Sequence, residues 1–271
     1  MEGKKFIFIA GLHRSGTSML HEIIRSHPNI SGFHNTGVPA DEGQHLQNVY
    51  EPALRFGGPG KFAFNCRSRM DESHPLVSSA NAKKLFEQWR PHFDMSCDHL
   101  VEKSPPNIIR TRFLQKLFPH SKFIFILRHP LAVSYATQKW SGTSIQSLLE
   151  HYLLAHEIMI QDFHWLNSFQ FLRYEALVAD PQLAIDGIFN FLQLTPIKVI
   201  YDIKRDVNEK YFQLWEKDSK NSLNNKLEEK LETKINTLGY SIKHYHEVLP
   251  VPWLDAERTD LHSNPQKDNR I

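Results

Sequence analysis

Cysteine is scarce in this sequence, and net charge is small. Its 271 residues include only two cysteines, Cys66 and Cys97, too few for a disulfide framework or a CxxC metal pair. The net charge is +2 with histidine neutral, which implies no strong field for duplex nucleic acid but leaves room for a local basic pocket for a small anion. The composition is otherwise that of an ordinary globular chain, with 41% hydrophobic residues, and it predicts one domain spanning residues 1–271.

Long hydrophobic runs are also lacking near the N-terminus. The first apolar run, residues 6–10, is too short for the hydrophobic region of a signal peptide or for a membrane span. It leads directly into a polar loop, which is typical of a buried first strand. We therefore expect a cytoplasmic protein without a membrane span.

Apolar runs alternate with helix-like segments along the chain. Short runs that suit buried strands occur at 6–9, 100–101, 122–127 and 169–172. Helical spacing of apolar residues predicts helices at 17–26, 81–89, 107–118, 131–139, 145–163, 181–192 and 210–238. The alternation predicts an α/β fold with a mostly parallel sheet, whose ligands bind beyond the carboxyl ends of the strands.

Two helices carry start signals, and two segments lack regular patterns. Asn107 could cap the helix at 107–118, and Asp180 precedes the proline that opens the helix at 181–192. Residues 34–75 include glycine- and proline-rich stretches and are expected to form a long loop region. Residues 249–271 are expected to form a polar surface tail.

A glycine-framed loop follows the first predicted strand. The stretch "GLHRSGTS", residues 11–18, starts a predicted helix, so backbone N–H groups and the positive helix end can converge on an anion. Loops that transfer a γ-phosphoryl group usually carry a lysine directly before their Ser or Thr. Thr17 stands in that place here, and the cation is Arg14 instead. The residues that we assign to anion binding are Arg14, Ser15, Gly16, Thr17 and Ser18.

This loop resembles the segment that holds the 5'-phosphosulfate in sulfotransferases that use 3'-phosphoadenosine 5'-phosphosulfate (PAPS). A second stretch, "KFIFILRHPLAVSYA", resembles the family signature for the 3'-phosphate, with Arg128 ending a strand and Ser134 in the next helix. Many members place that serine eight residues after the arginine, whereas here it follows after six and Ala136 is the eighth. The resemblance implies a three-layer sandwich of the P-loop NTPase-like sulfotransferase type, PAPS as co-substrate, and no metal.

Three further stretches extend the resemblance over roughly residues 4–216. "VEKSPPN" resembles a segment of tyrosylprotein and related bacterial sulfotransferases, and it places Lys103 where its charge could stabilise the bridging oxygen as the sulfuryl group leaves. "RYE" and "NEKYFQLW" resemble segments near the nucleotide, which makes Tyr174 and Asn208 candidate cofactor-binding residues. Arg14 and Lys103 are the candidate catalytic cations.

Sulfuryl transfer to an alcohol needs a base near the acceptor hydroxyl. Small-molecule members of the family use a histidine in a Lys-Thr-His segment, and "EKSPP" has no histidine there. Tyrosylprotein and heparan-type members use a glutamate from the loop after the first helix, which makes Glu42 our candidate. Its neighbour Asp41 and the nearby His34 stay open as alternatives. Two adjacent carboxylates near an anionic donor are expected to raise the pKa of one of them, which suits a base.

Two other functions and one other kind of site compete with this hypothesis. A nucleotide kinase is the runner-up, and the missing loop lysine argues against it. A non-catalytic module that binds a nucleotide is the third reading, which the paired carboxylates and Lys103 disfavour. His244 and His246 suggest a metal site, but they lack a carboxylate or cysteine at ligand spacing. The acceptor could be a small-molecule, glycan or peptide hydroxyl, the oligomeric state is open, and no nucleic-acid partner is expected.

Overall fold

The computed structural model describes residues 3–219 and 222–251. The chain divides into two compact units, Met1–Tyr211 and Phe212–Ile271. The single domain expected from the composition stays a prediction, and most of the polar tail predicted at 249–271 lies outside the described residues.

A five-stranded parallel sheet forms the centre of the first unit. Its strands are β1 (Lys5–Ala10), β2 (Ile30–Gly32), β3 (His99–Lys103), β4 (Lys122–Leu127) and β5 (Phe169–Arg173). They lie in the order β2-β3-β1-β4-β5, and every neighbouring pair is parallel. Because Ile9 pairs with Lys103 and Leu127 pairs with Arg173, the carboxyl ends of the strands meet at one edge of the sheet. This confirms the predicted α/β fold with a mostly parallel sheet.

Helices connect the strands and follow them. Those of the first unit are α1 (Thr17–Arg25), α2 (Ser79–Trp89), α3 (Thr111–Leu117), α4 (Pro130–Ser141), α5 (Ile145–Asp162), α6 (Tyr174–Ala179) and α7 (Pro181–Leu192). Helix α8 (Glu209–Ser219) begins in the first unit, and α9 (Ser222–Asn236) belongs to the second. The predicted helix at 210–238 corresponds to α8 and α9, and residues 220–221 between them are not described.

Both faces of the sheet are covered by apolar side chains, which places helices on either side. Along β1, Ile7 and Ile9 face one layer while Phe6 and Phe8 face the other, as the alternation of a strand requires. The first layer contributes Leu20, Ile23, Ile185 and Ile188, and the second contributes Trp89 and Phe118. Burial of these side chains fixes β1 and β4 rigidly in the centre, so the residues that follow them have defined positions.

Most predicted boundaries are confirmed within two residues, and Asp180 caps α7 by accepting a hydrogen bond from the Leu183 N–H at 3.0 Å. The predicted cap at Asn107 is wrong. Residues Pro105–Ile109 form a 3₁₀ turn, and α3 begins only at Thr111. The Asn107 amide is instead buried, where it donates to the Ile9 carbonyl oxygen at 3.1 Å and to the Glu102 carboxylate at 2.6 Å. These buried contacts with two strands outweigh a local capping bond.

The loop region expected at 34–75 contains a series of short 3₁₀ turns. These turns cover Pro39–Asp41, Gly43–His45, Ala53–Phe56, Phe62–Phe64 and Cys66–Ser68. Strand β2 and helix α6 were not expected, because each is too short to show a clear period in the sequence. Both cysteines are free thiols. Within the described ranges, no helix combines the length and the apolar character needed to cross a membrane.

In the second unit, the residues that follow α9 fold back toward α8. The Trp215 indole N–H donates to the Ile242 carbonyl oxygen at 3.0 Å. The Glu232 carboxylate of α9 accepts hydrogen bonds from the Ser241 hydroxyl and from the Ile242 N–H. His244 and His246 lie in this unit, and among residues 3–219 and 222–251 no three His, Cys, Asp or Glu side chains are placed to hold a metal ion.

Candidate active site

The loop between β1 and α1 makes a tight turn at the carboxyl edge of the sheet. Arg14 and Gly16 have positive φ angles of 70° and 101°. A Cβ atom on Gly16 would lie 2.6 Å from Cδ2 of Tyr174, so a side chain at this position is excluded by both conformation and space. Helix α1 starts at the next residue, and its N-terminus carries no side-chain cap from the described residues. The amides of its first turn are therefore available to an anion.

A pocket of about 270 Å³ opens in front of this helix end. The predicted anion-binding residues Arg14, Gly16, Thr17 and Ser18 line it. Arg128, which follows β4, lines the same pocket although it is 114 residues away along the chain. Two guanidinium groups and a helix N-terminus thus face one cleft, which suits a ligand with two separate anionic groups.

Arg128 is held by protein contacts on most of its guanidinium. Its Nε donates to Oδ1 of Asn208 at 2.9 Å, and its Nη1 donates to the carbonyl oxygen of Arg14 at 2.8 Å. Its Nη2 has no hydrogen-bond partner in the part of the chain that the structure describes. Burial lowers the pKa of Arg128 from its usual value, although arginine stays charged in proteins. Since Arg128 lines the pocket, an anionic ligand there would offset part of the cost of burying its charge.

Tyr174 and Asn208 support Arg128 from two sides. The Cζ of Arg128 lies 4.2 Å from the ring centroid of Tyr174, which is close enough for a cation–π contact. The Asn208 amide donates to Glu175 at 2.8 Å while accepting from Arg128. Glu175 in turn accepts from the N–H of His129 at 3.0 Å. Tyr174 lines the pocket, whereas Asn208 acts here through the arginine that it orients.

Two predicted cofactor-binding serines lie away from the pocket lining. The Ser15 hydroxyl turns back and donates to the carbonyl oxygen of Leu12 at 2.6 Å, so it braces the loop. Ser134 of α4 is buried and lines a separate cavity together with His13 and His151. The spacing from Arg128 to Ser134 is two residues shorter than the spacing in many family members. In this protein, Ser134 faces the interior of the first unit.

Glu42 and Lys103 form a buried ion pair beside the pocket. Glu42 lines the pocket, and its Oε1 lies 3.4 Å from Nζ of Lys103. Lys103 ends β3, is 1% exposed, and donates a second hydrogen bond to the carbonyl oxygen of Ala40 at 2.8 Å. The Gln44 amide donates to the other oxygen of the Glu42 carboxylate. The candidate base and one candidate catalytic cation therefore lie together, at the pocket side opposite Arg128.

The two alternative bases are placed less well for that role. The Asp41 carboxylate accepts hydrogen bonds from Thr36 and Asn35, and these contacts close the loop in front of it. Slight burial raises the pKa of Asp41, but the hydrogen bonds outweigh burial and lower the pKa below its usual value. The expectation that an anionic donor raises the pKa of one of the two adjacent carboxylates stays a prediction. His34 is exposed, and its imidazole Nε2 lies 3.0 Å from the Asn35 amide nitrogen.

A sequence comparison identifies the group of proteins to which this pocket belongs. A family model described as "Sulfotransferase family" matches residues 7–197, which include the glycine-framed loop, Lys103, Arg128 and Tyr174. The chain belongs to the sulfotransferase family. The resemblance read from the two loop signatures is thereby confirmed.

The curated relatives are distant from this chain in sequence. Protein-tyrosine sulfotransferase 1 of Danio rerio is 26% identical over 125 residues, which is 45% of this chain and 32% of the relative. Protein-tyrosine sulfotransferase A of Caenorhabditis elegans is 22% identical over 198 residues, which is 70% of this chain and 50% of the relative. The chain thus spans half or less of the length of these curated relatives.

Two solved sulfotransferase structures are similar to this chain. One from Alicyclobacillus acidocaldarius has 15% sequence identity and a TM-score of 0.46, and the match covers 92% of this chain and 98% of that chain. A mouse sulfotransferase complexed with PAP has 13% identity and a TM-score of 0.43, with 79% and 66% of the two chains covered. Both TM-scores are below 0.5, so the family assignment depends on the family model.

Several residues of the sulfotransferase site were not assigned from the sequence. His13 precedes Arg14 in the quoted loop and lines the pocket, and Glu175 lies in the quoted "RYE" stretch, so both were adjacent to recognised residues. Trp140 at the end of α4 is 59% exposed, and its ring lies 4.6 Å from the guanidinium carbon of Arg14. Its position depends on how α4 packs, which no local pattern indicates.

Glu102 is a further residue that the sequence left unassigned, and it lies beneath the candidate base. It is 0% exposed and accepts hydrogen bonds from the Gly43 N–H at 3.0 Å, the Ser104 hydroxyl at 2.5 Å and the Asn107 amide at 2.6 Å. Burial raises the pKa of Glu102 to about 7, although these bonds and Lys103 act in the opposite direction. The carboxyl thus anchors the backbone directly after Glu42.

Proposed function

We propose that this sulfotransferase moves a sulfuryl group from PAPS to a hydroxyl of an acceptor. The supporting observation is that Arg14 and Arg128 line one pocket at the N-terminus of α1. PAPS carries anionic groups at its 5' and 3' ends, and the two guanidinium groups lie at two points of one cleft. The residues present therefore fit the donor.

The glycine-framed loop would bind the 5' end of this donor. Gly16, Thr17 and Ser18 line the pocket, so their backbone N–H groups and the two hydroxyls would bind the anion there, and Arg14 adds a positive charge. Arg128 lines the same pocket and would bind the 3'-phosphate there, held in place by Asn208 and by the Tyr174 ring. Ser15 would brace the loop from within.

Glu42 is proposed to accept the acceptor proton. As the acceptor oxygen forms its bond to sulfur, its proton passes to the Glu42 carboxylate, and the bond between sulfur and the bridging oxygen breaks with its electron pair left on the phosphate. Arg14 and the α1 amides would stabilise the charge that develops on the sulfuryl and bridging oxygens. Lys103 holds Glu42 in the observed geometry and adds positive charge nearby. Its predicted contact with the bridging oxygen stays a prediction.

The acceptor is proposed to be a hydroxyl compound, with peptide tyrosine as the first candidate to test. This choice follows the names of the curated relatives, which are protein-tyrosine sulfotransferases. Small-molecule and glycan hydroxyls are the other candidates. A cytoplasmic location is part of the same proposal, and fractionation of the native host tests it.

Donor binding can be tested without knowing the acceptor. We expect saturating adenosine 3',5'-bisphosphate to raise the melting temperature by about 5–10 °C, as about 3 kcal/mol of ligand binding implies. Arg128→Ala should abolish this shift. Arg55→Ala removes an exposed arginine outside the pocket and should leave the shift intact, which makes it the matched control. A shift with ATP and magnesium but none with the bisphosphate would favour the kinase instead.

Measuring the transfer of a labelled sulfuryl group distinguishes an enzyme from a non-catalytic binding module. Labelled PAPS should transfer its label to tyrosine peptides, or to a component of a cell extract. Glu42→Gln should retain the bisphosphate shift and slow this transfer by about 10²–10⁴-fold, the usual contribution of a general base. Full activity in Glu42→Gln would remove Glu42 from the role of base. Binding without any labelled product would support the non-catalytic module.

A further inference from the structure

His13 lies between two cavities. Its ring lines the large pocket next to Arg14, and it also lines a small cavity of about 10 Å³ under helix α4. The ring packs edge-on against Phe62, with 5.8 Å between the centroids, so its orientation is constrained. Its Nδ1 atom is fully enclosed. Since Nδ1 is the enclosed nitrogen, Nε2 is the ring nitrogen that can serve the pocket.

Three residues that line the small cavity each carry a buried polar atom without a partner among the described residues. Nδ1 of His13, Oγ of Ser134 and Oγ1 of Thr137 belong to residues that line it, and each is buried without a hydrogen-bond partner among residues 3–219 and 222–251. Leaving three such atoms unpaired would be costly. A cavity of this volume has room for one water centre, and a buried water typically makes about three hydrogen bonds.

The surroundings of His13 favour its neutral form. Burial lowers the pKa of His13 to about 3, and the charges of Lys103 and His45 act in the same direction. His151 lines the same small cavity, its Nε2 accepts from the Ala63 N–H at 3.2 Å, and burial lowers its pKa to about 3 as well. Both rings are therefore neutral near pH 7, and each has one donor and one acceptor nitrogen.

We propose that one water binds in the small cavity, donates to Nδ1 of His13 and accepts from Ser134 and Thr137, and thereby fixes His13 as the Nε2–H tautomer that donates into the pocket. The chemical class of its partner is an anionic oxygen of a phosphate or sulfate group, since a donor N–H beside Arg14 suits that charge. The identity of this anion depends on the proposed function, whereas the water and the tautomer do not.

Ser134 acquires a different role under this proposal. It acts on the bound anion through the water and His13, as a positioning residue, and makes no direct contact with the 3'-phosphate. Thr137, one helical turn further along α4, shares the role because residues three apart lie on the same helix face.

The tautomer can be measured in the free protein. Nitrogen NMR of the full chain with ¹⁵N-labelled histidine distinguishes a protonated from an unprotonated ring nitrogen, and loss of a signal in His13→Gln assigns it to His13. We expect a single Nε2–H tautomer at pH 7. In Ser134→Ala/Thr137→Val we expect a mixture of tautomers. Ser121→Ala removes another buried, unpartnered hydroxyl outside this cavity and is the matched control.

Either of two NMR results overturns the proposal: an Nδ1–H tautomer in the unchanged protein, or an unaltered tautomer in the double variant. If the double variant does not fold, Ser134→Ala and Thr137→Val are measured singly, and an unaltered tautomer in both has the same consequence. A protein that shows the expected NMR result but no bisphosphate binding would contradict the proposed function alone.

Affinity for adenosine 3',5'-bisphosphate tests the donor role of Nε2. We expect His13→Leu to lose about 10-fold or more, the usual effect of removing a donor to a charged group. His13→Gln places an amide N–H near the position of Nε2 and should recover most of that loss. Equal affinities for His13→Leu and the unchanged protein would overturn the donor role. Equal losses in the Leu and Gln variants would show a packing role only and would overturn it too.

Discussion

The two halves of the pocket are built in different ways. The anion loop, residues 11–18, is held mainly by its own backbone: a buried strand ends, two residues take positive φ, and a helix starts. The base loop, residues 33–45, is held by contacts with distant elements. Three hydrogen bonds fix it. The Lys103 ammonium donates to the Ala40 carbonyl oxygen, the Glu102 carboxylate accepts from the Gly43 N–H, and the Ser104 hydroxyl oxygen accepts from the Gln44 N–H.

The position of the anion loop is thus set mainly by local backbone geometry, whereas the position of the base loop depends on buried charged residues. The anion loop has most of its determinants within eight residues, and its main distant contacts are those of Arg128 with the Arg14 carbonyl oxygen and of Tyr174 beside Gly16. The base loop depends on three consecutive residues of the β3 end, two of them ionisable and all three buried. We therefore expect substitutions that add bulk to destabilise the anion loop most. Changes of pH, and substitutions that remove a charge, should act mainly on the base loop.

The largest effect is expected from Gly16→Ala in the anion loop. The new Cβ would meet Tyr174 at 2.6 Å, and the residue would keep a φ of 101°. Steric clash and left-handed strain together imply a loss of about 4 kcal/mol in the free energy of unfolding. Chemical denaturation measures it, and the bisphosphate shift should disappear.

Gly37→Ala is the control for backbone strain alone. Gly37 lies in the base loop with a φ of 82°, and a Cβ there would have no atom within 4 Å. Its substitution should cost about 1 kcal/mol and leave bisphosphate binding unchanged. Equal losses at the two positions would contradict the idea that contact with Tyr174 shapes the anion loop.

An intermediate effect is expected from Glu102→Gln beneath the base loop. Burial raises the pKa of Glu102 from its ordinary value of 4.5 to about 7 in the folded protein. Between pH 4.5 and pH 7, the folded state therefore keeps a proton on Glu102 that the unfolded state has lost. The contribution of Glu102 to stability is therefore fully present below pH 4.5 and is lost as the pH rises through 7. The free energy of unfolding of the unchanged protein, measured relative to that of Glu102→Gln, should therefore fall by an amount on the order of 3 kcal/mol between pH 4.5 and 8.

Denaturation of both proteins across this pH range checks the sign. The buried histidines His13, His21, His151 and His156 titrate in both proteins, so they cancel in the difference. A difference that does not vary with pH would mean that Glu102 titrates near its ordinary value and does not couple the base loop to pH.

The same division explains which residues could be predicted from the sequence. Arg14 and Arg128 each follow a buried strand, and parallel strands bring their carboxyl ends to one edge, so pattern alone places both at the pocket. Glu42 was selected by its position in a loop, but its contact with Lys103 depends on how that loop packs on β3. Glu102 gave no signal, because a glutamate inside an apolar strand is usually expected to be exposed.

Where the sequence misled, tertiary packing outweighed a local pattern. Asn107 has the chemistry of a helix cap, but two buried acceptors hold its amide. Ser134 lies in the segment that resembles a phosphate signature, yet the packing of α4 turns it toward His13 and the small cavity. Neither outcome is visible without knowing which atoms lie across the fold, since side-chain orientation along a helix depends on the surface it covers.

The smallest effect is expected from Asp41→Asn at the front of the base loop. Asp41 has a φ of 49°, which asparagine tolerates about as well as aspartate, and its Oδ1 accepts from the Thr36 N–H at 2.7 Å. Asparagine retains one such acceptor, so the free energy of unfolding should fall by less than about 1 kcal/mol. Asp41→Ala removes the acceptors and should cost more, about 2 kcal/mol.

Both variants should keep the bisphosphate shift, because Asp41 closes its own loop and Glu42 is the carboxylate that faces the pocket. Slowed sulfuryl transfer in Asp41→Asn, at unchanged stability, would reverse the assignment of the two acids.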